Sequence, residues 1–150
     1  MSSELSIQGF KSAAVKSGIR GRDRLDLGLI FSEVPAVAAG VFTTSLVKAA
    51  PVLLDMERLA DLKARAILVN SGIANACTGQ PGISSARKTA AMVAEALSLA
   101  EEDVLVASTG VIGEHLEMDC FSRGVPKLVE KLSADGLTSV SLAIMTTDTV

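Results

Sequence analysis

The apolar stretches of this sequence are short, and each ends at glycine, proline or a small polar turn, a punctuation that limits the fold more than any other feature. Leu25 to Phe31 follows Asp23 and Arg24. Val37 to Thr43 is entered after Pro35 and relieved by Gly40, and Ala50 to Leu54 carries Pro51. These read as three short strands, with Pro51 at an edge or a strand start. Their near-continuous apolar character predicts a meander buried on both faces. No run reaches the ~20 residues of a membrane span.

Further along, helical and extended patterns alternate. Asp55 to Ala64 reads as a short helix capped by Asp55. Ala66 to Val69 reads as a strand that stops at the turn Asn70-Ser71-Gly72. Ser84 or Ser85 caps a helix to Ser98, with Ala86, Ala90, Val93 and Leu97 at helical spacing. Val104 to Ala107 is a strand ending at Ser108-Thr109-Gly110. Asp119 caps a helix through Val125, Leu128, Val129 and Leu132, which Pro126 either kinks or splits. Thr138 to Ala143 is a last short helix. The pattern predicts a mixed α/β (α+β) body. A doubly wound nucleotide fold lacks its signals: no G-x-G-x-x-G follows a strand, and no strand is expected ahead of Gly18-Ile19-Arg20-Gly21-Arg22.

Composition narrows the function classes. The 150 residues suit one domain or a piece of a larger one, and a compact body of this mass exposes about 7,200 Å². A net charge of -3 provides no basic field for nucleic acid. With no Trp and no Tyr, a base-stacking platform is hard to build. Cys77 and Cys120 form neither a disulfide framework nor a thiolate zinc cluster, and read as two buried or half-buried thiols in a reducing compartment. The N-terminus lacks the apolar region of a signal peptide, so the expected location is cytoplasmic. His115, the only histidine, stands beside Glu114 and near Glu117 as a solvated or capping residue, which weakens any Ser-His-Asp triad. No metal site is expected.

Two glycine-containing segments carry the chemistry worth weighing. In Asn70 to Gly79, Asn70 and Asn75 offer amides and the small residues permit close approach of a ligand, a candidate pocket loop. Plain turn chemistry, with both amides satisfying local backbone, is the competing account and the one composition favours. In Ala107 to Gly113, a strand ends in hydroxyls and two glycines. Backbone N–H groups there can converge on a developing oxyanion, with the Thr109 hydroxyl beside them. A tight turn capping the next helix is the competing account. A nucleophile with a local base is missing.

The landmarks Gly9-Phe10, Gly18-Ile19, Ala39-Gly40-Val41-Phe42-Thr43-Thr44, Ala49-Ala50-Pro51-Val52, the Asn70 loop, Ser108 to Gly113 and Ile144 to Thr149 stand in one order. In that order and spacing the chain resembles the bifunctional ornithine acetyltransferase (glutamate N-acetyltransferase) family, from Gly9 to Thr149. Ser45 and Ile73 depart from it, each standing where Asn is common. The resemblance implies a layered fold of sheets and helices shared with self-processing aminopeptidases. It implies a precursor that cuts itself at an Ala-Thr bond, the new N-terminal Thr of the second (beta) chain being the nucleophile, with a Lys just before the cut. Both would lie beyond Val150. This chain would then be an alpha-chain domain over 9–150, behind a flexible 1–8, truncated before the cleavage site and inactive alone.

The implied reaction is ping-pong transfer of acetyl from N2-acetylornithine to glutamate. It needs no cofactor, and acetyl-CoA is a further donor in members with the broader activity. Thr109 and Gly110 would form the oxyanion hole. Thr146 would contact substrate, with Thr147 as its rival. The implied partner is the beta chain, in an α2β2 heterotetramer, with neither nucleic acid nor membrane. An aminopeptidase or amidase of the same fold, and a binding module without catalysis, are the alternatives.

Overall fold

The computed structural model describes residues 5–21 and 23–146. Its elements are β1 (Phe10–Val15), β2 (Leu27–Val37), α1 (Ala50–Arg58), β3 (Lys63–Ile73), α2 (Gly79–Leu97), β4 (Val104–Val111), α3 (Met118–Glu130) and α4 (Leu137–Ile144). The strands form one sheet in the order β1-β2-β3-β4. The first two pairings are antiparallel and the last is parallel. The expected mixed α/β class is observed, and a doubly wound parallel sheet is not.

Side-chain alternation divides the sheet. Ala13 and Val15, Leu27 and Leu29, Ala66 and Leu68, and Val104 and Val106 share one face by register. They form the main core with Ala86, Ala90 and Val93 of α2 and Phe121, Val125 and Leu128 of α3. The alanines of α2 let it lie close to its neighbours, as their helical spacing predicts. The opposite face is covered by α4 around Gly28, where an added Cβ would lie 3.1 Å from Val140 Cγ1. Elsewhere the described residues cover that face only in part, with Leu105 buried beside Leu59 and Ala64. Phe10 and Ile67 stay more than a third exposed and, with Ile30 and Leu105, border a hollow of about 280 Å³. Burial on both faces was the expectation, and only one face is fully buried. The accessible surface is 8508 Å², above the ~7,200 Å² of a self-contained globule of this size.

Several expected elements differ, each for a physical reason. Ala50 to Leu54 opens a helix, not a strand. Pro51 sits in its first turn, where a missing N–H has no partner to lose, and Ala50, Pro51, Leu54 and Arg58 are buried at helical spacing. Asp55 therefore lies inside α1 and is not its N-cap. Beyond Val37 the chain leaves the sheet: Ala38 N donates to Leu62 O, 2.8 Å, and Ala39 to Thr43 form no strand. Pro35 falls in a bulge of the β2–β3 ladder between Phe31 and Ala36. Arg65 closes the gap by donating to the carbonyls of Ser32 (3.0 Å) and Glu33 (2.9 Å). Helix α2 starts at Gly79, ahead of the expected Ser84, because Pro81 is tolerated in the first turn. Pro126 lies inside a single α3. Strand β1 was not anticipated. Cys77 is exposed, whereas Cys120 is buried, and burial pushes its thiol above the ordinary value. His115 is exposed, as expected. No described helix is long and apolar enough to cross a membrane.

The outer edge of β4 is capped by side chains of α1. Val106 N donates to Asp55 Oδ1 at 3.0 Å, and the buried Arg58 donates to Val104 O. Two residues one helical turn apart thus replace a neighbouring strand. Burial raises the Asp55 carboxyl from 3.8 to about 6, against the lowering effects of the Val106 N–H and the Arg58 charge. Between about pH 4 and pH 6 the folded chain holds a proton the unfolded chain has released, so this contribution is complete below the unfolded value and lost as pH rises through the folded one. Asp55→Asn keeps the acceptor and removes the charge. Its stability relative to the parent, from urea midpoints, is expected to improve steadily from pH 4 to about pH 6.5. A difference that stays flat with pH would contradict this origin.

Candidate functional site

The site residues named from sequence lie at the C-terminal ends of β3 and β4. These strands run past the expected turns: Asn70, Ser71, Gly72 and Ile73 pair with Ser108, Thr109, Gly110 and Val111. Neither Asn70-Ser71-Gly72 nor Ser108-Thr109-Gly110 is a turn, and α3 begins only at Met118. The reason is the matched glycines. Gly72 has φ +107° and Gly110 φ +132°. A Cβ on Gly110 would lie 2.3 Å from the carbonyl carbon and oxygen of Gly72. Only glycine permits the two backbones to approach this closely while both hold positive φ.

The edge position of β4 decides where the Gly110 amide points. In a parallel pair, alternate residues direct both N–H and C=O to the same neighbour. Val104 and Val106 direct theirs outward to α1, and Val111 faces inward, its carbonyl accepting Ala74 N at 2.9 Å. By the same alternation the backbone groups of Ser108 and Gly110 face outward, beyond the reach of the α1 caps. Gly110 is exposed and Thr109 half-buried. Thr109 pairs with the fully buried Ser71, whose hydroxyl donates to Ala143 O of α4 at 2.6 Å.

The two asparagines are occupied by protein partners. Asn70 donates from Nδ2 to Ile73 O at 2.9 Å and accepts the Ser108 hydroxyl at 2.6 Å. Asn75, fully buried with φ +49°, donates to Gly82 O at 3.0 Å and accepts the Thr78 hydroxyl at 2.8 Å. Both amides thus brace the backbone, matching the turn-chemistry account. The 74–76 segment is laced to the 111–113 segment, with Gly113 N donating to Ala76 O at 2.9 Å. Cys77, Gln80 and Lys48 border a separate open cleft of about 520 Å³.

Thr146 reaches the glycine pair through one arginine. Arg20 donates to Met145 O, and to Thr146 O at 3.0 Å. Its Cγ lies 2.6 Å from where a Cβ on Gly72 would stand. Thr147 lies outside the described residues. Arg20, Asp23, Arg24, Leu142 and Thr146 border a hollow of about 240 Å³.

Sequence reasoning missed what holds this corner. Asp26 is fully buried and accepts the backbone N–H groups of Ser17 (2.7 Å), Gly18 (3.1 Å) and Arg20 (3.0 Å). Strand β1 does lead into the Gly18 to Gly21 segment, contrary to expectation. Its converging amides resemble an anion nest, but the chain's own carboxylate fills it. The signal was a lone acid between Leu25 and Leu27, since a carboxylate inside an apolar strand needs donors aimed at it.

By fold and site, this is a mixed α/β domain with two positive-φ glycines stacked at the open end of a parallel strand pair, distinct from a doubly wound parallel sheet. The profile of the ArgJ family matches residues 11–150. The chain is 55% identical over 146 residues to the arginine biosynthesis bifunctional protein ArgJ of Desulfotalea psychrophila, and 51% identical over 145 residues to that of Geobacter sulfurreducens. Each alignment covers 97% of this chain but 37% of the relative, so the chain spans little more than a third of their length. Among solved structures, argJ from Bacillus halodurans superposes with a TM-score of 0.90 at 42% identity, covering 98% of this chain and 78% of that one. Ornithine acetyltransferase from Mycobacterium tuberculosis, complexed with ornithine, gives 0.91 at 44% identity, covering 95% and 78%. The chain belongs to the ArgJ family.

Proposed function

We propose that this chain is the alpha-chain part of an enzyme that transfers acetyl from N2-acetylornithine to glutamate in arginine biosynthesis, in the cytoplasm. The supporting observation is the exposed Gly110 beside the half-buried Thr109 at the end of β4 that α1 does not cap, where strand alternation turns the Gly110 N–H outward. The nucleophile is the N-terminal Thr of the beta chain, whose own amine serves as general base. Attack on the acetyl carbonyl places negative charge on its oxygen, which the Thr109 hydroxyl and the Gly110 N–H accept. Ornithine leaves, acetyl stays on Thr, and glutamate removes it. Acetyl-CoA can load the same Thr. The exposed apolar residues Val34, Val37, Val41, Leu46, Val47 and Ile112 support a chain that works covered by a partner, the beta chain of an α2β2 assembly.

Kinetics of the full-length protein test this reading. Parallel double-reciprocal plots for acetylornithine and glutamate, with acetylglutamate as product, are expected. Release of acetate to water without transfer would indicate the hydrolase chemistry instead. Thr146→Ala is expected to raise the KM for acetylornithine by about tenfold, the loss of one well-made hydrogen bond. If Thr147→Ala does this and Thr146→Ala does nothing, the substrate hydroxyl is Thr147.

A further inference from the structure

We propose that Arg20 is a positioning residue for the transfer, holding the 145–146 backbone, and with it Thr146, at a fixed distance from the Gly72–Gly110 pair. This inference rests on the proposed substrate contact of Thr146. It begins with the geometry of the side chain. The Arg20 N–H is bound to the buried Asp26 carboxylate at 3.0 Å, which fixes the root of the side chain. Its Cγ passes directly over Gly72, in space that any larger residue there would fill. Its guanidinium then donates to two successive carbonyls, Met145 and Thr146, just past the end of α4.

Each of these features favours arginine. The guanidinium is a planar fork that can hold two adjacent acceptors at once, whereas an ammonium is a point donor. A cation at a helix C-terminus also meets the negative end of the helix dipole and carbonyls without intrahelical partners. Residues 145–146 form neither helix nor strand, so regular backbone pairing does not fix the approach of Thr146. The path from Gly110 to Gly72, Arg20 and Thr146 consists of direct contacts. It joins the two parts of the proposed site through one side chain anchored by Asp26.

The test uses Arg20→Ala and Arg20→Lys in the full-length protein, with two readouts. The first is steady-state kinetics with acetylornithine. The second is amide hydrogen exchange in peptides covering 143–146. Arg20→Ala is expected to raise KM about tenfold, with a smaller change in kcat, and to speed exchange in that segment. Arg20→Lys is expected to fall between the parent and Arg20→Ala in both, and it decides the matter if the alanine variant does not fold. Unchanged exchange and unchanged KM overturn the inference. Faster exchange with unchanged KM also overturns it, because the anchored backbone then does not serve the substrate. Failure of the underlying reading is visible separately, as a Thr146→Ala enzyme with parental KM.

Discussion

Replacing Thr109 by alanine in the full-length protein is expected to lower kcat for acetyl transfer by roughly 10²–10³-fold and to leave KM for acetylornithine nearly unchanged. The size follows from when the interaction matters. A carbonyl oxygen in the bound substrate is a modest acceptor, and the same oxygen carries a full charge after attack. A donor aimed at the second position acts on turnover and not on binding. Thr109 stands half-buried on β4 opposite Ser71, so the substitution removes a hydroxyl and a methyl from a strand end, not from the core. Thr109→Val isolates the hydroxyl: it keeps the branched shape a strand favours and is expected to lose the same turnover with an unchanged melting temperature. Thr109→Ser should recover most of it. A loss confined to KM would assign Thr109 to uniform substrate binding and remove it from the oxyanion hole.

How far this site could be read in the sequence depended on which signals are local. Apolar spacing is local, and it located the body of α2 and the core of β3 and β4. Proline was ambiguous: Pro51 and Pro81 suit a strand edge or the first turn of a helix equally well, and only the packing of α1 and α2 chooses. The C-terminal ends of β3 and β4 were misread as turns because Asn, Ser and Gly favour turns when nothing pairs with them. Here each finds a partner in the other strand, residue for residue from Asn70↔Ser108 to Ile73↔Val111. Tertiary pairing overrode local propensity. Val37 to Thr43 failed in the opposite sense, having strand composition but no neighbour to pair with beyond Ala38. The Asp26 anchor was out of reach for another reason: it joins residues from 17 to 26 and acts through Arg20 on 145–146, a separation no periodicity reports.

The pairing of the two glycines gives the other large expected effect. Gly110→Ala must satisfy two demands that an L side chain meets badly. It has to hold φ near +132°, and it has to place a methyl 2.3 Å from the Gly72 carbonyl. The obstruction is backbone, so no rotamer change relieves it, and β3 and β4 must part where Thr109 and the Gly110 amide stand. The expected result is a stability loss of about 2–4 kcal/mol, combining positive-φ strain with overpacking. A fall in kcat of at least about 10²-fold should accompany it as the donor pair loses its aim. Gly113→Ala separates the two causes. Gly113 has φ +87° but nothing within 4 Å of an added Cβ, so that variant carries the strain without the collision, about 1–2 kcal/mol. It should keep near-parental kcat. Denaturation midpoints and kcat measured side by side decide the matter. If Gly110→Ala is no worse than Gly113→Ala in both, the strand ends do not depend on glycine–glycine contact, and the Gly110 amide is not the donor that the transfer requires.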